Sequence, residues 1–301
     1  MTEKRLQIAI QKSGRLSEKS MKLLEQAGLI FDVGQSELFS PCRNFPLDVV
    51  FLRDDDIPEY VNDGICDLGI VGENVLLEKT LALESRSSEK EKVRIISSIR
   101  LGFGKCRLSL AVPNGLVFND VSDLNQKRVA TSYPFILKNF AKNNNIDLKI
   151  IEISGSVEIT PTLKIADLIC DLVSTGNTLR SNGLKEVKTI LESQSIIIKS
   201  QKDYDQQTLH HISTLEKRIE GVLKAAQSKY IMMNAPKSAI ERIKKVLPGM
   251  EGPTLIELAN NLNMVAIHAV SQENIFWETM EELKKAGASS ILVLPIEKII
   301  D

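Results

Sequence analysis

The sequence predicts an α/β protein of two similar lobes followed by a smaller third module. Three observations carry this reading. Short apolar strands alternate with amphipathic helices through most of the chain. One strand-and-glycine segment recurs: Ile65-Cys66-Asp67-Leu68-Gly69-Ile70-Val71-Gly72 resembles Ile169-Cys170-Asp171-Leu172-Val173-Ser174-Thr175-Gly176. Each copy follows a predicted helix, so two like lobes with a ligand cleft between them are expected. From Lys229 onward the order becomes βαββαβ, that of a ferredoxin-like module.

Taken in order, residues 6–10 read as a strand, and a helix from about Ser17 ends at Gly28. Residues 47–52 are an apolar run that suits a buried strand. Asp56, with Pro58 in the first turn and Glu59 three residues on, reads as the N-cap of a helix that stops at Gly64. The charged stretch 84–92 lacks apolar periodicity and is expected as a solvated loop. Strands resume near 93–96 and 107–112, and residues 128–133 read as a strand running into a helix at Pro134. In the last quarter, residues 229–233, 254–258, 264–270 and 290–294 read as strands. Helices over 237–247, closed by Pro248-Gly249, and 274–286, stopped by Gly287, lie between them.

Composition narrows the function classes. The 301 residues carry 38 basic and 39 acidic side chains, a formal charge of −1, so no basic excess points to nucleic acid. No apolar run approaches the roughly 18 residues that span a bilayer. The start, Met1 to Arg5 running into a short apolar stretch, does not have the form of a signal peptide, and a cytoplasmic protein is expected. Cys42, Cys66, Cys106 and Cys170 are scattered, and His210, His211 and His268 do not stand at metal-ligand spacing from them. Reduced, buried thiols are expected rather than a zinc site.

Chemistry concentrates in three places. Asp171 stands at a strand end before Ser174, Thr175, Gly176, Asn177 and Thr178, and a helix follows near Leu179. A glycine turn lets successive N–H groups converge on one anion, hydroxyls add donors, and a helix N-terminus adds a favourable dipole. The acid can accept from sugar hydroxyls, so the segment suits a phosphorylated ribose. A plain strand-to-helix turn uses the same residue types. Glu158 is a second acid of the same lobe, able to share a ribose diol or a Mg²⁺ carried by a pyrophosphate. In the first lobe, Lys12, Gly14 and Arg15 follow the first strand and Arg53 follows the next. Cations around a glycine turn suit a polyphosphate, although the Walker A spacing is missing. The run Asp54-Asp55-Asp56 reads as caps and a solvated turn in preference to a metal cluster.

Together these segments resemble the ATP phosphoribosyltransferases in their long form, over essentially the whole chain. The resemblance rests on Gln11-Lys12-Ser13-Gly14-Arg15-Leu16-Ser17, Arg53-Asp54-Asp55-Asp56-Ile57-Pro58, Asp67 to Val75, Ala130-Thr131-Ser132-Tyr133-Pro134 and Cys170 to Gly176. Gly287 to Lys298 matches as well. It implies a bilobal catalytic unit like the periplasmic binding proteins, with lobe I at 1–100 plus a return segment near 190–225, lobe II at 101–190, and a regulatory domain at 226–301. It implies transfer of phosphoribose from 5-phosphoribosyl pyrophosphate to N1 of the ATP adenine, with Mg²⁺, in histidine biosynthesis. Inhibition by histidine and dimer or hexamer assembly are implied too. Carried over, Glu158 and Asp171 hold the ribose, and Ser174, Thr175, Gly176, Asn177 and Thr178 hold the 5-phosphate. Lys12, Gly14, Arg15, Arg53, Asp67 and Gly72 face ATP or pyrophosphate. Asn234 and Thr254, in turns of the last domain, are the candidates for histidine, and Trp277 reads as core or interface. Lys164 departs from the pattern, standing where a small residue is expected. A non-catalytic ligand sensor of the same architecture is the rival, but it would not need the phosphate loop and paired acids.

Overall fold

The computed structural model describes residues 5–32, 38–86, 93–247, 249, 252–259 and 261–300. Residues 87–92 of the expected charged loop, and Pro248, lie outside them. The first lobe comprises β1 (Leu6–Gln11), α1 (Arg15–Gln26), β2 (Phe39–Pro41), β3 (Leu47–Leu52), α2 (Ile57–Asn62), β4 (Leu68–Gly72), α3 (Glu73–Arg86) and β5 (Ile95–Arg100). The second comprises β6 (Cys106–Pro113), β7 (Arg128–Thr131), α4 (Pro134–Asn143), β8 (Lys149–Glu152), β9 (Leu168–Val173), α5 (Asn177–Ser181) and β10 (Leu184–Ser193). The chain then returns through β11 (Ser195–Ser200) and α6 (Gln206–Ala226). Residues 84–86, expected in a loop, are instead the last turn of α3.

The two sheets share one plan. In the first, ordered β2-β3-β1-β4-β11-β5, the parallel strands run β3-β1-β4 and β11 is antiparallel beside β4. In the second, ordered β10-β6-β9-β7-β8, the parallel strands run β8-β7-β9 and β6 is antiparallel beside β9. Both place the first parallel strand in the middle, so each lobe has a switch point where loops at the carboxyl ends diverge. The inner strands are buried on both faces, which explains their largely apolar runs, interrupted at Gln7, Asp48 and Asp171. Leu6, Ile8, Ile10, Leu47, Leu68 and Ile70 are all sealed from solvent.

The internal repeat is real, but its register differs from the expected one. Asp67 accepts from the Gln7 amide at 2.8 Å, and its own N–H donates to the Gln7 carbonyl. Asp167 does the same with the Arg128 amide, at 2.9 Å, and the Arg128 carbonyl. Asp67 therefore corresponds to Asp167 and not to Asp171. The shared tripeptide Cys-Asp-Leu misleads, because backbone pairing to the first strand, not local identity, sets the register. The corrected repeat also accounts for Lys164. It matches Gly64, and both occupy the left-handed region, with φ of 58° and 71°. A side chain there costs about 1–2 kcal/mol, partly offset by glycine's greater unfolded-state freedom. Lys164→Gly is expected to stabilise the protein by about 0.5–1 kcal/mol, read as a higher midpoint in thermal or urea unfolding.

Asp56 occupies the N-cap position of α2 but makes no side-chain cap bond. A 3-10 turn over Asp54–Asp56 runs directly into the helix, so the capping box expected there does not form.

The third module contains β12 (Ser228–Pro236), α7 (Ile240–Val246), β13 (Thr254–Leu258), β14 (Asn261–Gln272), α8 (Glu273–Lys285) and β15 (Ser289–Pro295). Its sheet is ordered β13-β14-β12-β15 and is antiparallel throughout, the arrangement of a ferredoxin-like βαββαβ unit. Ile231, Met233, Ile243, Leu247, Ile267 and Leu283 form its core. Trp277 is 66% exposed, which removes it from that core. The chain divides into two compact units, residues 1–22 with 29–212, and residues 23–28 with 213–301. This division by compactness falls inside α6, while the first strand of the third module begins at Ser228.

Candidate functional site

At the carboxyl end of β9 the chain turns through Ser174, Thr175 and Gly176 into α5. Gly176 has φ of 76°, a conformation that favours glycine and opens the loop into the helix. Two arginines hold the loop's carbonyls: Arg107 donates to Ser174 O at 3.2 Å, and Arg180 to Thr175 O at 3.3 Å. Arg180 also donates closely to the Asn177 side chain. Arg107 is itself fixed by Glu186 through two short bonds, from Nε and Nη2. A cavity of about 560 Å³ lies against the loop, lined by Arg107, Thr175, Gly176, Arg180 and Lys185 among others. Ser174, Thr175, Asn177 and Thr178 are exposed. Glu186 also lines the cavity and neutralises Arg107, which leaves Arg180 and Lys185 as the net positive charge that an anion would meet.

Asp171 is half-buried on β9, where its Oδ1 accepts from the Leu172 amide at 2.8 Å. Burial pushes its carboxyl above the ordinary aspartate value, the Leu172 bond opposes this, and Glu158 repels it further upward. Glu158 sits in a 3-10 turn, Val157–Ile159, entered through Ser156 at φ of 51°. The two acids therefore share one field, and a ligand with paired hydroxyls or a bound cation would relieve their repulsion.

The first lobe gathers cations at its own carboxyl ends. Gln11 of β1 pairs with Leu52 of β3, and the Lys12 amide donates to the Leu52 carbonyl at 2.8 Å. Lys12 and Arg53 thus leave adjacent strands side by side. Gly14, with φ of 91°, turns the chain into α1, which opens at Arg15. Lys12, Gly14, Arg15 and Arg53 are all exposed. Gly72 closes β4, and a Cβ there would stand 2.4 Å from Asn74 Oδ1, so the glycine makes room for that side chain.

Asp67 is placed otherwise than the resemblance implies. It lies at the amino end of β4, buried, and is ion-paired to Lys202 at 2.8 Å besides accepting from Gln7. Its oxygens brace the sheet at the end away from the loops. Asn234 lies within β12, which runs past the strand end expected at Met233, and Thr254 opens β13 as the strand reading expects. Both are strand residues, paired through β14 to Ala266 and His268, and strand alternation puts them on one sheet face.

Sequence reasoning passed over three further groups. Asp54, read as part of a solvated turn, has a buried Oδ1 without a hydrogen-bond partner. Burial, then Asp55, pushes its carboxyl up to about 6. Tyr133 links the lobes, its hydroxyl accepting from Asn74 Nδ2 at 3.0 Å. Burial raises that phenol, and Asp54 and Asp171 both add to the rise, so these acids approach Tyr133 from the two lobes. Glu78 on α3 accepts from the amides of Phe135 and Ile136 on α4, each at 2.8 Å. No local pattern announces these contacts, since each joins segments more than fifty positions apart. A cavity of about 1060 Å³ is lined from both lobes, by Asp55, Glu59, Glu78, Tyr133, Glu152 and Ser154 among others. Lys79 and Arg94 of the first lobe are in that lining, whereas Asp171, Lys12, Arg15 and Arg53 are not.

Among the described residues, no group of three or more histidine, cysteine, aspartate or glutamate side chains converges as metal ligands. No helix among them is long and apolar enough to cross a membrane.

Comparisons with known proteins agree with this architecture. A family model described as ATP phosphoribosyltransferase matches residues 53–221, and one for the HisG C-terminal domain matches residues 225–298. Among solved structures, the chain is similar to the ATP phosphoribosyl transferase (HisG:HisZ) complex from Thermotoga maritima. The identity is 28%, over 71% of this chain and 98% of that one, with a TM-score of 0.57. More distant is the alkanesulfonate-binding protein SsuA from Xanthomonas axonopodis pv. citri, 13% identical over 100% of this chain and 97% of that one, TM-score 0.45. An ABC transporter/periplasmic binding protein from Brucella ovis is 10% identical over 81% and 74%, TM-score 0.45. The first family model spans more than half of the sequence and the second covers the third module, so the chain belongs to the ATP phosphoribosyltransferase family, glycosyltransferases of histidine biosynthesis.

Proposed function

We propose that the protein transfers phosphoribose from 5-phosphoribosyl pyrophosphate to N1 of the ATP adenine, releasing pyrophosphate and phosphoribosyl-ATP. The observation that carries this reading is the loop after β9, where the Gly176 turn and arginine-held carbonyls stand beside the Asp171–Glu158 pair. Ser174, Thr175, Gly176, Asn177 and Thr178 receive the 5-phosphate, while Asp171 and Glu158 accept from the ribose hydroxyls. Lys12, Gly14, Arg15 and Arg53 meet the phosphates of ATP or the departing pyrophosphate. Gly72 serves the same end indirectly, through the room it leaves Asn74. The N1–C1′ bond forms as the C1′–O bond to pyrophosphate breaks, and the leaving oxygen keeps that electron pair. Adenine N1 brings its own lone pair, so the protein's task is alignment and charge stabilisation rather than nucleophilic attack. Mg²⁺, when bound with the substrate, would supply positive charge against the developing pyrophosphate. Glu158 and Asp171 are the residues that would offer such an ion hard oxygens.

The third module is the receptor for histidine as feedback inhibitor, with Asn234 and Thr254 on its open sheet face. Tyr230, Leu292 and Leu294 on that face are exposed, which fits a homo-oligomer in which the face is covered. A cytoplasmic setting accords with four free cysteines. The test is to mix the protein with ATP, 5-phosphoribosyl pyrophosphate, Mg²⁺ and a pyrophosphatase and to follow phosphoribosyl-ATP. Product formation that histidine suppresses is expected. Folded protein that makes none would exclude the enzyme reading.

A further inference from the structure

The return crossing between lobes passes through Ser193, Gln194 and Ser195, linking β10 of one sheet to β11 of the other. The outward crossing beside it runs from Leu101 to Lys105. The two are stitched by Leu101 N to Ser195 O and Ser195 N to Phe103 O, both 2.9 Å. Gly104, at φ of 65°, lies so close to Ser195 that a Cβ would fall 2.3 Å from Oγ. Such paired crossings form a hinge, and a hinge alone leaves the angle between lobes open.

Helix α3 closes that freedom. At its first turn Asn74 is buried, with its amide donating to Ser193 Oγ at 3.1 Å and its Oδ1 accepting from that hydroxyl at 2.7 Å. Its Nδ2 then donates across to Tyr133 of the other lobe at 3.0 Å. One turn further, on the same helix face, Glu78 receives the Phe135 and Ile136 amides, two of the groups that the start of α4 leaves without helical partners. A carboxylate there also meets the favourable end of the helix dipole. Asn74 thus binds the hinge and the second lobe at once, and Glu78 repeats the second link.

We propose that Asn74 and Glu78 form an interlobe clasp that fixes the angle at which the sugar-phosphate loop faces the first-lobe cations, and that both are positioning residues for transfer. The inference rests on the reading that each lobe carries part of the substrate pair. Neither residue need touch substrate. The clasp acts through Tyr133 and the α4 terminus, and Gly72 is required because only glycine leaves Asn74 its place.

Glu78→Ala and Asn74→Ala test this in the full-length protein. Each is expected to lower kcat about tenfold to a hundredfold, the scale on which small misalignment acts. The Kd for 5-phosphoribosyl pyrophosphate alone, a ligand of the second lobe, stays within about twofold, since that lobe is unaltered. The double variant is expected to lose less than the product of the two losses, because either change releases one clasp. Glu78→Gln, which keeps an acceptor, recovers part of kcat. Unchanged kcat in both single variants would overturn the proposal. So would a fall in kcat matched by the same fall in affinity for the lone substrate. A second readout does not depend on enzymology: Glu78→Ala is expected to speed hydrogen exchange at the Phe135 and Ile136 amides. Wild-type protein that makes no phosphoribosyl-ATP would remove the parent reading and leave the clasp to be judged by exchange alone. Unchanged exchange at those two amides would then remove the clasp itself.

Discussion

Asp171→Ala is expected to weaken 5-phosphoribosyl pyrophosphate binding about a hundredfold while leaving the protein folded. Two hydrogen bonds from ribose hydroxyls to a charged acceptor contribute about 1.5–3 kcal/mol each in favourable settings, and 1.4 kcal/mol is tenfold in affinity. The fold loses little, because among the described residues the only hydrogen bond shown for the carboxylate is to its own neighbour Leu172. Burial and Glu158 raise this carboxyl, so the folded chain holds its proton more tightly than the unfolded chain does. Its stability contribution is therefore greatest at low pH and is lost as pH rises through the raised value. Binding runs the other way, since the ionised form accepts from the sugar. Affinity for 5-phosphoribosyl pyrophosphate is expected to fall on acidification sooner than an ordinary aspartate would allow, and Asp171→Asn is expected to flatten that part of the profile. Calorimetric titration across pH checks both. Wild-type affinity in the alanine variant would take Asp171 out of the site.

Removing the paired cations of the first lobe has the next largest effect. Lys12→Ala with Arg53→Ala is expected to reduce ATP affinity or turnover about tenfold to a hundredfold, on the scale of charge-assisted hydrogen bonds to phosphate. Because both side chains are exposed, the loss shrinks as salt is raised and screening grows. Arg53→Lys is expected to recover only part, since an ammonium cannot reproduce the planar two-point contact of a guanidinium. Steady-state kinetics at two ionic strengths resolves these outcomes. An unchanged KM for ATP together with an unchanged kcat would place the polyphosphate elsewhere.

Much of this fold was legible because strand burial writes itself into sequence. The runs at 6–10, 47–52 and 168–173 are mostly apolar, each broken by one polar residue, as suits inner parallel strands, and the βαββαβ order of the last module follows from spacing alone. The turn from β9 into α5 was legible too, since its glycine and hydroxyls are contiguous and a helix follows them. What escaped was non-local. The repeat was misaligned because Cys-Asp-Leu occurs at both 66–68 and 170–172, whereas pairing to β1 and β7 selects Asp67 and Asp167. Asp67 looked like a cleft acid, yet Lys202, far along the chain, claims it. Asp54 looked solvated within an acidic run, and only the packed structure shows its oxygen buried. The corrected repeat in turn explains Lys164, whose anomaly is one of backbone conformation and not of cleft chemistry.

The central claim is that the turn from Asp171 to Thr178 is the sugar-phosphate site. A crystal structure of the protein with 5-phosphoribosyl pyrophosphate and Mg²⁺ tests it most directly. The 5-phosphate is expected within hydrogen-bond distance of the Ser174–Thr178 amides and hydroxyls, with the ribose hydroxyls on Asp171 and Glu158. A 5-phosphate seated on Lys12, Arg15 and Arg53 instead, with the β9 loop unliganded, would contradict the account.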